Sequence, residues 1–464
     1  MTVQKLFIII AIIAAIITAF RYYRKNSDGL LINFCQYFIG LLFIFSGFVK
    51  AIDPLGTSYK MHEYFESFAQ DGFHSFWEMM SEWAVPISIF MIVLEIVLGC
   101  MIIIGRHAKM AAIGLLGLNL FFLFLTGYSY LSGYCLTPSV IVISALLLLL
   151  LFLAAFISHH QKRFYGITLI SVVIILYFLF CKFTGSGATC EFTPSKMKVT
   201  DCGCFGDFMK LKTWETFYKD IFLTLISLVI VRYYHKIKLI TTDRISKIFV
   251  FVGLTLSLIF CLMNTYWNEP PIDFRPYAVG SNINEKMKEI EPKVSEFILK
   301  YKNNATGKVE SFKIDNMPAD IAENWTYDTT IENVIKEGIP APIHNLRFTD
   351  LTGGDVTQSL LNEENISFWI VIYNTKKSNL DFFNSHLVPF AQEMKKQGIN
   401  VYCLLGNSTA EFDAKTNEMM DVVKADETAL KTMIRSNPGI MKIQNGKVIS
   451  KWHYHQFSKE KIGL

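Results

Sequence analysis

Long apolar stretches, separated by short polar ones, fill the first 267 residues of the chain. About twenty apolar residues suffice to cross a bilayer as a helix, at a rise of about 1.5 Å per residue. The pattern therefore predicts a membrane-spanning, all-α helical bundle. We count eight spans, near Val3 to Phe20, Leu31 to Phe48, Ala84 to Gly105, Met110 to Leu131, Val140 to Ser158, Gly166 to Phe183, Ile221 to Tyr234 and Ile245 to Tyr266.

Basic residues between the spans predict the orientation of the bundle. They concentrate on alternate loops, and loops rich in Lys and Arg stay in the cytoplasm. The N-terminus, the other loops and everything after residue 267 are then outside. The first apolar segment lacks a small-residue cleavage site and is predicted to remain as a helix. The basic loops hold Arg21, Arg24 and Lys25, then Arg106 and Lys109, then Lys162 and Arg163, and finally Arg232, Lys236, Lys238, Arg244 and Lys247.

Composition supports this division and excludes two classes of protein. Of the 464 residues, 52% are apolar and 18% charged, which is typical of a chain with many membrane segments. The net charge of +4 comes without a basic stripe, which argues against a nucleic-acid partner. The apolar runs are continuous, unlike the alternating strands of an outer-membrane barrel. We predict an extra first helix (1–29), a bundle (30–267), an outside connector with a hairpin (268–340) and a soluble α/β domain (341–464).

Four of the nine cysteines fall in predicted outside loops, at Cys135, Cys190, Cys202 and Cys204. An extracytoplasmic compartment is oxidising, so these four are candidates for disulfides. Four cysteines allow three pairings, and all three stay open. A bond between Cys202 and Cys204 closes a small strained ring that is readily reduced, which favours a redox-active pair. If each bonds instead to Cys135 or Cys190, the four cysteines staple an outside cap over the bundle.

Three local patterns carry a family resemblance. They are the stretch from Gly40 to Pro54 with its Ser-Gly-Phe-Val-Lys-Ala-Ile-Asp-Pro ending, Glu95-Ile-Val-Leu-Gly99, and Asp201-Cys-Gly-Cys-Phe-Gly-Asp207. Together they resemble the MauE/DoxX-like integral membrane family over roughly residues 30 to 235. The resemblance implies a bacterial inner-membrane helical bundle. It also implies quinone-linked redox chemistry, or disulfide formation in periplasmic enzymes.

A carboxylate, Glu95, lies near the centre of the third predicted span. A charge at that depth costs about 2.5 to 3.5 kcal/mol on insertion scales, so it is expected to face the bundle interior. We expect the second, third and fourth spans to enclose it, with Lys50 or Asn119 as its polar partner. Glu95 then either exchanges protons beside a quinone headgroup or sets helix register through an interhelical hydrogen bond.

The outside loop from Ala51 to Trp83 is rich in aromatic residues. We predict that this loop lies on the membrane as a lid and that its rings anchor it at the headgroup level. The rings belong to Tyr64, Phe65, Phe68, Phe73, Phe76, Trp77 and Trp83.

The soluble tail alternates strand and helix signals. Glu296 to Tyr301 and Val309 to Ile314 are predicted strands around a turn. Further strands are predicted at Ser367 to Tyr373, Ile399 to Leu405, Ile440 to Gln444 and Lys447 to Trp452, with helices at Leu380 to Gly398, Ala410 to Lys424 and Ala429 to Arg435.

That order resembles a thioredoxin-like domain over about residues 341 to 464. Pro438 matches the cis-proline before the terminal hairpin of that fold, and the resemblance implies a partner-binding surface around Asn437 and Pro438. The stretch from Tyr373 to Leu380, where a thioredoxin carries its Cys-x-x-Cys, has no cysteine. The tail is therefore predicted to bind without thiol chemistry, and Cys403 is predicted to be an inert core thiol.

Two functions compete on this sequence. The first is a thiol:quinone oxidoreductase-like protein, in which electrons pass from an extracytoplasmic client through Cys202 and Cys204 to a quinone near Glu95. The second is a non-catalytic envelope assembly or scaffold protein with structural disulfides and a partner-binding tail. No metal site is predicted, because His453 and His455 lack a third ligand.

Overall fold

The computed structural model describes residues 2–24, 29–133, 197–201, 203–292, 294–313, 317–318, 321–336, 338–339, 341–344 and 346–458. The predicted fifth and sixth spans and Cys135, Cys190 and Cys202 lie outside these residues. The chain forms two compact units, Met1–Ile272 and Asp273–Leu464.

The first unit is helical. Its helices are α1 (Val3–Tyr23), α2 (Leu30–Ile52), α3 (Pro54–Asp71), α4 (His74–Glu82), α5 (Ala84–Ile104), α6 (Ala108–Ser132), α7 (Thr213–Tyr233) and α8 (Asp243–Tyr266). Among the described residues five helices, α1, α2, α5, α6 and α8, are long and apolar enough to cross a membrane. The unit is therefore a membrane region with several spans.

Helix α7 differs from the sequence prediction. The predicted seventh span begins at Ile221, but α7 begins at Thr213 and so includes Lys219 and Asp220. The apolar run of that span starts after those charges, although the prediction allowed its ends to extend through Tyr218 and His235. The helix continues through them because both side chains are buried inside the bundle.

Helices α2 and α5 pack closely because small residues face each other. A Cβ atom on Gly99 would lie 2.9 Å from the Gly40 carbonyl oxygen, which is closer than a side chain tolerates. Small residues let membrane helices approach at their backbones. The chain then turns at once into α3, because Asp53 caps that helix by accepting a hydrogen bond from the Gly56 amide and Pro54 occupies its first turn.

Two of the loops predicted to be cytoplasmic lie together at one end of the bundle. The Ile240 amide donates to the Ile104 carbonyl at 3.0 Å, and Arg106 pairs with Asp243 at 2.6 Å. The sequence prediction that these loops share one side of the membrane agrees with this contact. Which side they face stays a prediction.

The aromatic loop between α2 and α5 is not simply a membrane anchor. It forms α3 and α4, and Tyr64, Phe65 and Phe68 are buried in the bundle core. The Phe68 ring packs on Tyr128 at 4.8 Å. The anchor interpretation is therefore wrong for these three rings, because helical spacing turns them onto one inward face. Phe73, Phe76 and Trp83 are exposed.

The second unit contains two sheets. The first has the order β2-β1-β3, with β1 (Val294–Asn303), β2 (Val309–Lys313) and β3 (Trp325–Lys336) all antiparallel. The sequence predicted β1 and β2 around their turn but missed β3. Strand β3 returns to β1 through a longer connection, so no hairpin turn signals it.

The second sheet has five strands in the order β6-β5-β4-β7-β8. Strands β4, β5 and β6 are parallel, and β7 and β8 form an antiparallel hairpin beside β4. Apolar clusters cover both faces of the sheet. The strands are β4 (Ile366–Asn374), β5 (Asn400–Asn407), β6 (Asp421–Lys424), β7 (Gly439–Gln444) and β8 (Lys447–His453).

Two predicted helices of the tail change in the structure. The helix predicted from Ala410 to Lys424 ends at Asn417, and the β-branched Val422 and Val423 form β6 instead. The helical segment after β4 runs as Leu380–Phe382, a π-helical turn Phe383–Leu387, and Val388–Lys396. The π turn ends two residues before Pro389, whose missing N–H interrupts the normal hydrogen-bond pattern.

The first residues after the membrane region belong to the α/β fold. Tyr277 and Ile283 are buried in the core of the five-stranded sheet. The Gly280 amide donates to the Val448 carbonyl at 2.7 Å, along the edge of β8. Residues 273–287 are thus a structural part of the sheet domain, although the sequence analysis assigned them to the connector.

Candidate functional site

A buried cavity in the membrane unit brings together residues from four helices and the cysteine loop. Its polar lining residues are Ser46 and Lys50 of α2, Glu95 of α5, Asn119 of α6, Lys219 and Asp220 of α7, and Cys204 of the loop. The centre of a water molecule can occupy about 20 Å³ of it, which is the space of roughly one water.

Lys50 and Glu95 form a buried ion pair in this cavity. Lys50 Nζ lies 2.5 Å from Glu95 Oε1, and the side chains are only 4% and 2% exposed. Lys50 Nζ also lies 4.5 Å from the centre of the Phe122 ring. The sequence predicted Lys50 or Asn119 as the partner of Glu95, and the structure selects Lys50.

Asn119 bonds elsewhere. Its side-chain amide donates to Ser227 Oγ at 2.6 Å and ties α6 to α7. Of the two candidates, Asn119 is therefore not the direct partner of Glu95, although both residues line the same cavity.

A second buried charge pair was missed by the sequence prediction. Lys219 Nζ lies 2.9 Å from Asp220 Oδ1, and the side chains are 7% and 1% exposed. Thr126 Oγ1 of α6 donates to Asp220 Oδ2 at 3.0 Å. The sequence does contain a signal for this pair, because a Lys and an Asp stand directly before an apolar run. Charged residues inside a membrane helix are candidates for function.

The loop around Cys204 closes one side of the cavity. Cys204 is buried, and its carbonyl accepts a hydrogen bond from Ser46 Oγ at 3.2 Å. Gly203 adopts a left-handed conformation with φ of +63°, and a Cβ there would lie 3.0 Å from the Lys60 side chain. Only glycine fits both constraints easily, so the residue between the two cysteines is fixed by the local fold.

Three buried oxygens in the cavity lining find no hydrogen-bond donor among the described residues. They are Glu95 Oε2, Asn119 Oδ1 and Asp220 Oδ1. Asp220 Oδ1 accepts no hydrogen bond, but Lys219 Nζ lies 2.9 Å away and pairs with its charge. Such acceptors are costly without a donor.

The quinone implied by the family resemblance does not fit inside this cavity. Lysines and carboxylates suit a quinone headgroup chemically, but its six-membered ring is much larger than the space of roughly one water. The disulfide exchange proposed below therefore involves no quinone in this cavity. A quinone elsewhere in the membrane stays a hypothesis from the resemblance.

The proline site of the C-terminal unit is buried. The Asn437–Pro438 peptide bond is cis, as predicted. Asn437 is 8% exposed, and its carbonyl already accepts a hydrogen bond from the Asn379 amide at 3.2 Å. Partner binding at these two residues stays a prediction, and this bond argues against strand addition at Asn437.

Other chemically notable groups of the C-terminal unit are enclosed. Cys403 lies in the core, as predicted, and burial raises the pKa of its thiol; its inertness stays a prediction. An open cleft of about 520 Å³ lies near Arg347 and Asp355. These two exposed residues pair with each other at 3.2 Å, and the cleft carries no candidate chemistry among the residues that the structure describes.

Comparison with known proteins supports the membrane assignment. The family model described as "Methylamine utilisation protein MauE" matches residues 28–137. No curated protein and no solved structure matches the chain. The matched stretch contains Lys50, Glu95 and Asn119, whereas the Cys-Gly-Cys loop and α7 lie beyond it. Residues 28–137 thus form a MauE-like membrane region of this protein.

Proposed function

We propose that this protein is a membrane accessory protein that exchanges disulfides with an extracytoplasmic client through Cys202 and Cys204. The MauE-like region supports an accessory role in a membrane. The observation that carries the thiol chemistry is the position of Cys204 in the lining of a cavity that also holds two buried lysine–carboxylate pairs. Once one of these carboxylates is protonated, the two ammonium groups favour the thiolate, which is the reactive form of cysteine.

The proposed exchange balances without an external oxidant. A client thiolate attacks one sulfur of the Cys202–Cys204 disulfide, and the other sulfur leaves as a thiolate. The second client thiol then displaces the mixed disulfide. The client loses two electrons and two protons, and the loop gains both as two thiols. A disulfide between Cys135 and Cys190 is the proposed next electron acceptor.

The C-terminal unit is proposed to be a thioredoxin-like domain that presents the client. The support is its parallel central strands beside an antiparallel hairpin, with a cis-proline before that hairpin. Its one cysteine, Cys403, is buried, so the domain itself does not exchange disulfides. We place this domain outside a bacterial inner membrane, on the alternation of basic loops.

A second candidate function is a non-catalytic assembly scaffold. It is favoured by the buried Cys403 and by the absence of cysteine from the stretch Tyr373 to Leu380. In that case the four loop cysteines form permanent disulfides.

Trapping of mixed disulfides separates the two functions. Cys202→Ser and Cys204→Ser are made singly in the full chain, and cells are quenched with acid and alkylated. We expect one of the two variants to accumulate a covalent complex with an extracytoplasmic protein that dithiothreitol releases. Cys403→Ser is the matched control and should trap nothing. No complex with either variant, together with loop cysteines that never become alkylated, would establish the scaffold.

A further inference from the structure

We propose that the cavity lined by Cys204 is a proton site, in which one water molecule donates hydrogen bonds to oxygens of Glu95, Asn119 and Asp220 that accept none from the described residues, and a buried carboxylate takes up the thiol proton. The inference rests on the proposed disulfide exchange, because that reaction changes the charge of Cys204. Nothing in the MauE match reaches the Lys219–Asp220 pair or the cysteine loop.

The three oxygens that accept no hydrogen bond define what the cavity binds. All three belong to residues that are 1% exposed, and all three are acceptors in the described part of the chain. Their missing partner is therefore a hydrogen-bond donor. A buried water bonds to two to four polar groups and needs about the volume that is present.

The charges favour a neutral donor. Lys50 and Lys219 balance Glu95 and Asp220, so the formal charge of the four groups sums to zero. A metal cation would leave an unbalanced positive charge in a buried site, which is strongly unfavourable. Water leaves the balance unchanged.

A thiolate at Cys204 would disturb this balance. It adds one negative charge to the lining of a neutral cavity, and a buried unpaired charge is costly. Protonation of one carboxylate restores neutrality. In this step the S–H bond of Cys204 breaks, its electron pair stays on sulfur, and an O–H bond forms on Glu95 or Asp220 through the water. Asn119 acts as a positioning residue for that water.

The other charged groups around Cys204 are few in the described residues. On α3, Lys60 packs against Gly203 and pairs with Glu63 at 2.8 Å. In the loop, Asp201 accepts a hydrogen bond from the Gly203 amide, and Asp207 follows three residues after Cys204. None of these four lines the cavity, so the proton acceptor is assigned to Glu95 and Asp220.

Infrared difference spectroscopy tests the proton site directly. The full chain in lipid nanodiscs is recorded before and after chemical reduction, and free thiols are counted by mass labelling of the same samples. We expect the carbonyl stretch of a protonated carboxylic acid to appear on reduction. Glu95→Gln or Asp220→Asn should shift or remove this band, and the double variant should lack it.

Two further variants distinguish loss of the proton site from misfolding of the protein. Thr126→Val keeps Asp220 but removes its hydrogen bond from Thr126, and should move the band if Asp220 holds the proton. Asp71→Asn is the control, because Asp71 bonds to Tyr128 and Lys198 away from the cavity and should leave the band unchanged.

The outcomes distinguish this inference from the proposed function. If reduction releases no thiols, the disulfide exchange itself is wrong. If two thiols appear without a carboxylic acid band, or if the band survives in the double variant, the proton site is wrong while disulfide exchange stands.

Discussion

At the scale of single residues, the sequence located Glu95 and named its partner as one of two candidates. This was possible because a carboxylate inside an apolar span needs a polar partner. The sequence did not single out Asp220, because the apolar run of the seventh span begins one residue later, at Ile221. The length of a membrane helix is predicted from its apolar run, so a charged residue is taken as the end of the helix. When packing within the bundle buries that charge, the helix continues past it, and only the structure shows this.

The buried Lys50–Glu95 pair should be much more important to stability than a surface pair. We expect Lys50→Met to cost about 3 to 5 kcal/mol, because it leaves a buried carboxylate without its counter-ion. Adding Glu95→Leu should recover most of that loss. Thermal unfolding in detergent measures both. Lys60→Met, which breaks an exposed pair with Glu63, is the control and should cost about 0 to 1 kcal/mol. Equal losses at Lys50 and Lys60 would contradict the buried pair.

Acid should loosen the last strand of the C-terminal unit in two steps. Burial, with a smaller contribution from His455, lowers the pKa of His453 to about 4 from its usual 6.5. The neutral form is thus favoured in the fold. The stability that this gives is complete above pH 6.5 and is lost as the pH falls toward 4, by at most about 1.4 kcal/mol per pH unit.

The lower step belongs to Asp273. Burial alone would raise its pKa, but Arg275 and Lys451 outweigh that effect and lower the pKa to about 2. Its contribution is present above pH 3.8 and is lost as the pH falls through 2. Hydrogen exchange of β8 peptides in the full chain should show both steps. His453→Asn should remove the upper one only; an unchanged upper step would assign it to another group.

At the scale of elements, the long helices could be predicted because each consists of one apolar run. Elements that depend on distant partners could not. Strand β6 is four residues long and exists because it pairs with β5, and β3 pairs with β1 far back in the chain. Local helix signals therefore extended the preceding helix over β6, and no local signal marked β3.

The contact between α2 and α5 should tolerate no side chain at Gly99. We expect Gly99→Val to push the two helices apart, because its Cβ would lie 2.9 Å from the Gly40 carbonyl. The Lys50–Glu95 pair, which joins the same two helices, should then lengthen or break. A lower melting temperature in detergent and loss of client trapping are the expected results. Gly253→Ala is the control, since its nearest contact, Cys100 Sγ, is an ordinary 3.7 Å.

At the scale of the whole molecule, the division into a membrane unit and a soluble unit follows from the distribution of apolar runs. The exact start of the soluble fold did not follow. The sequence analysis assigned residues 268–340 to a connector, whereas Tyr277 and Ile283 lie in the core of the five-stranded sheet. Two scattered apolar residues in a polar stretch give no periodic signal, so only the packed structure identifies them.

This boundary gives a test with two fragments. A fragment of residues 273–464 should fold cooperatively and show strand-rich circular dichroism. A fragment that starts at residue 288 should be less stable by several kcal/mol, because two large apolar side chains leave the core. Urea unfolding of both measures the difference. Equal stability would mean that residues 273–287 contribute nothing to the fold.

The polar first half of α7 also bears on how the protein is made. This helix carries Glu215, Lys219 and Asp220 within its first two turns and is not among the helices apolar enough to span a bilayer unaided. Helix α6 accommodates its polar groups, because Thr126 donates to the buried Asp220 carboxylate and Asn119 donates to Ser227. Insertion of α7 is therefore expected to depend on α6, which is synthesised before it, and the cavity closes only once α7 is in place.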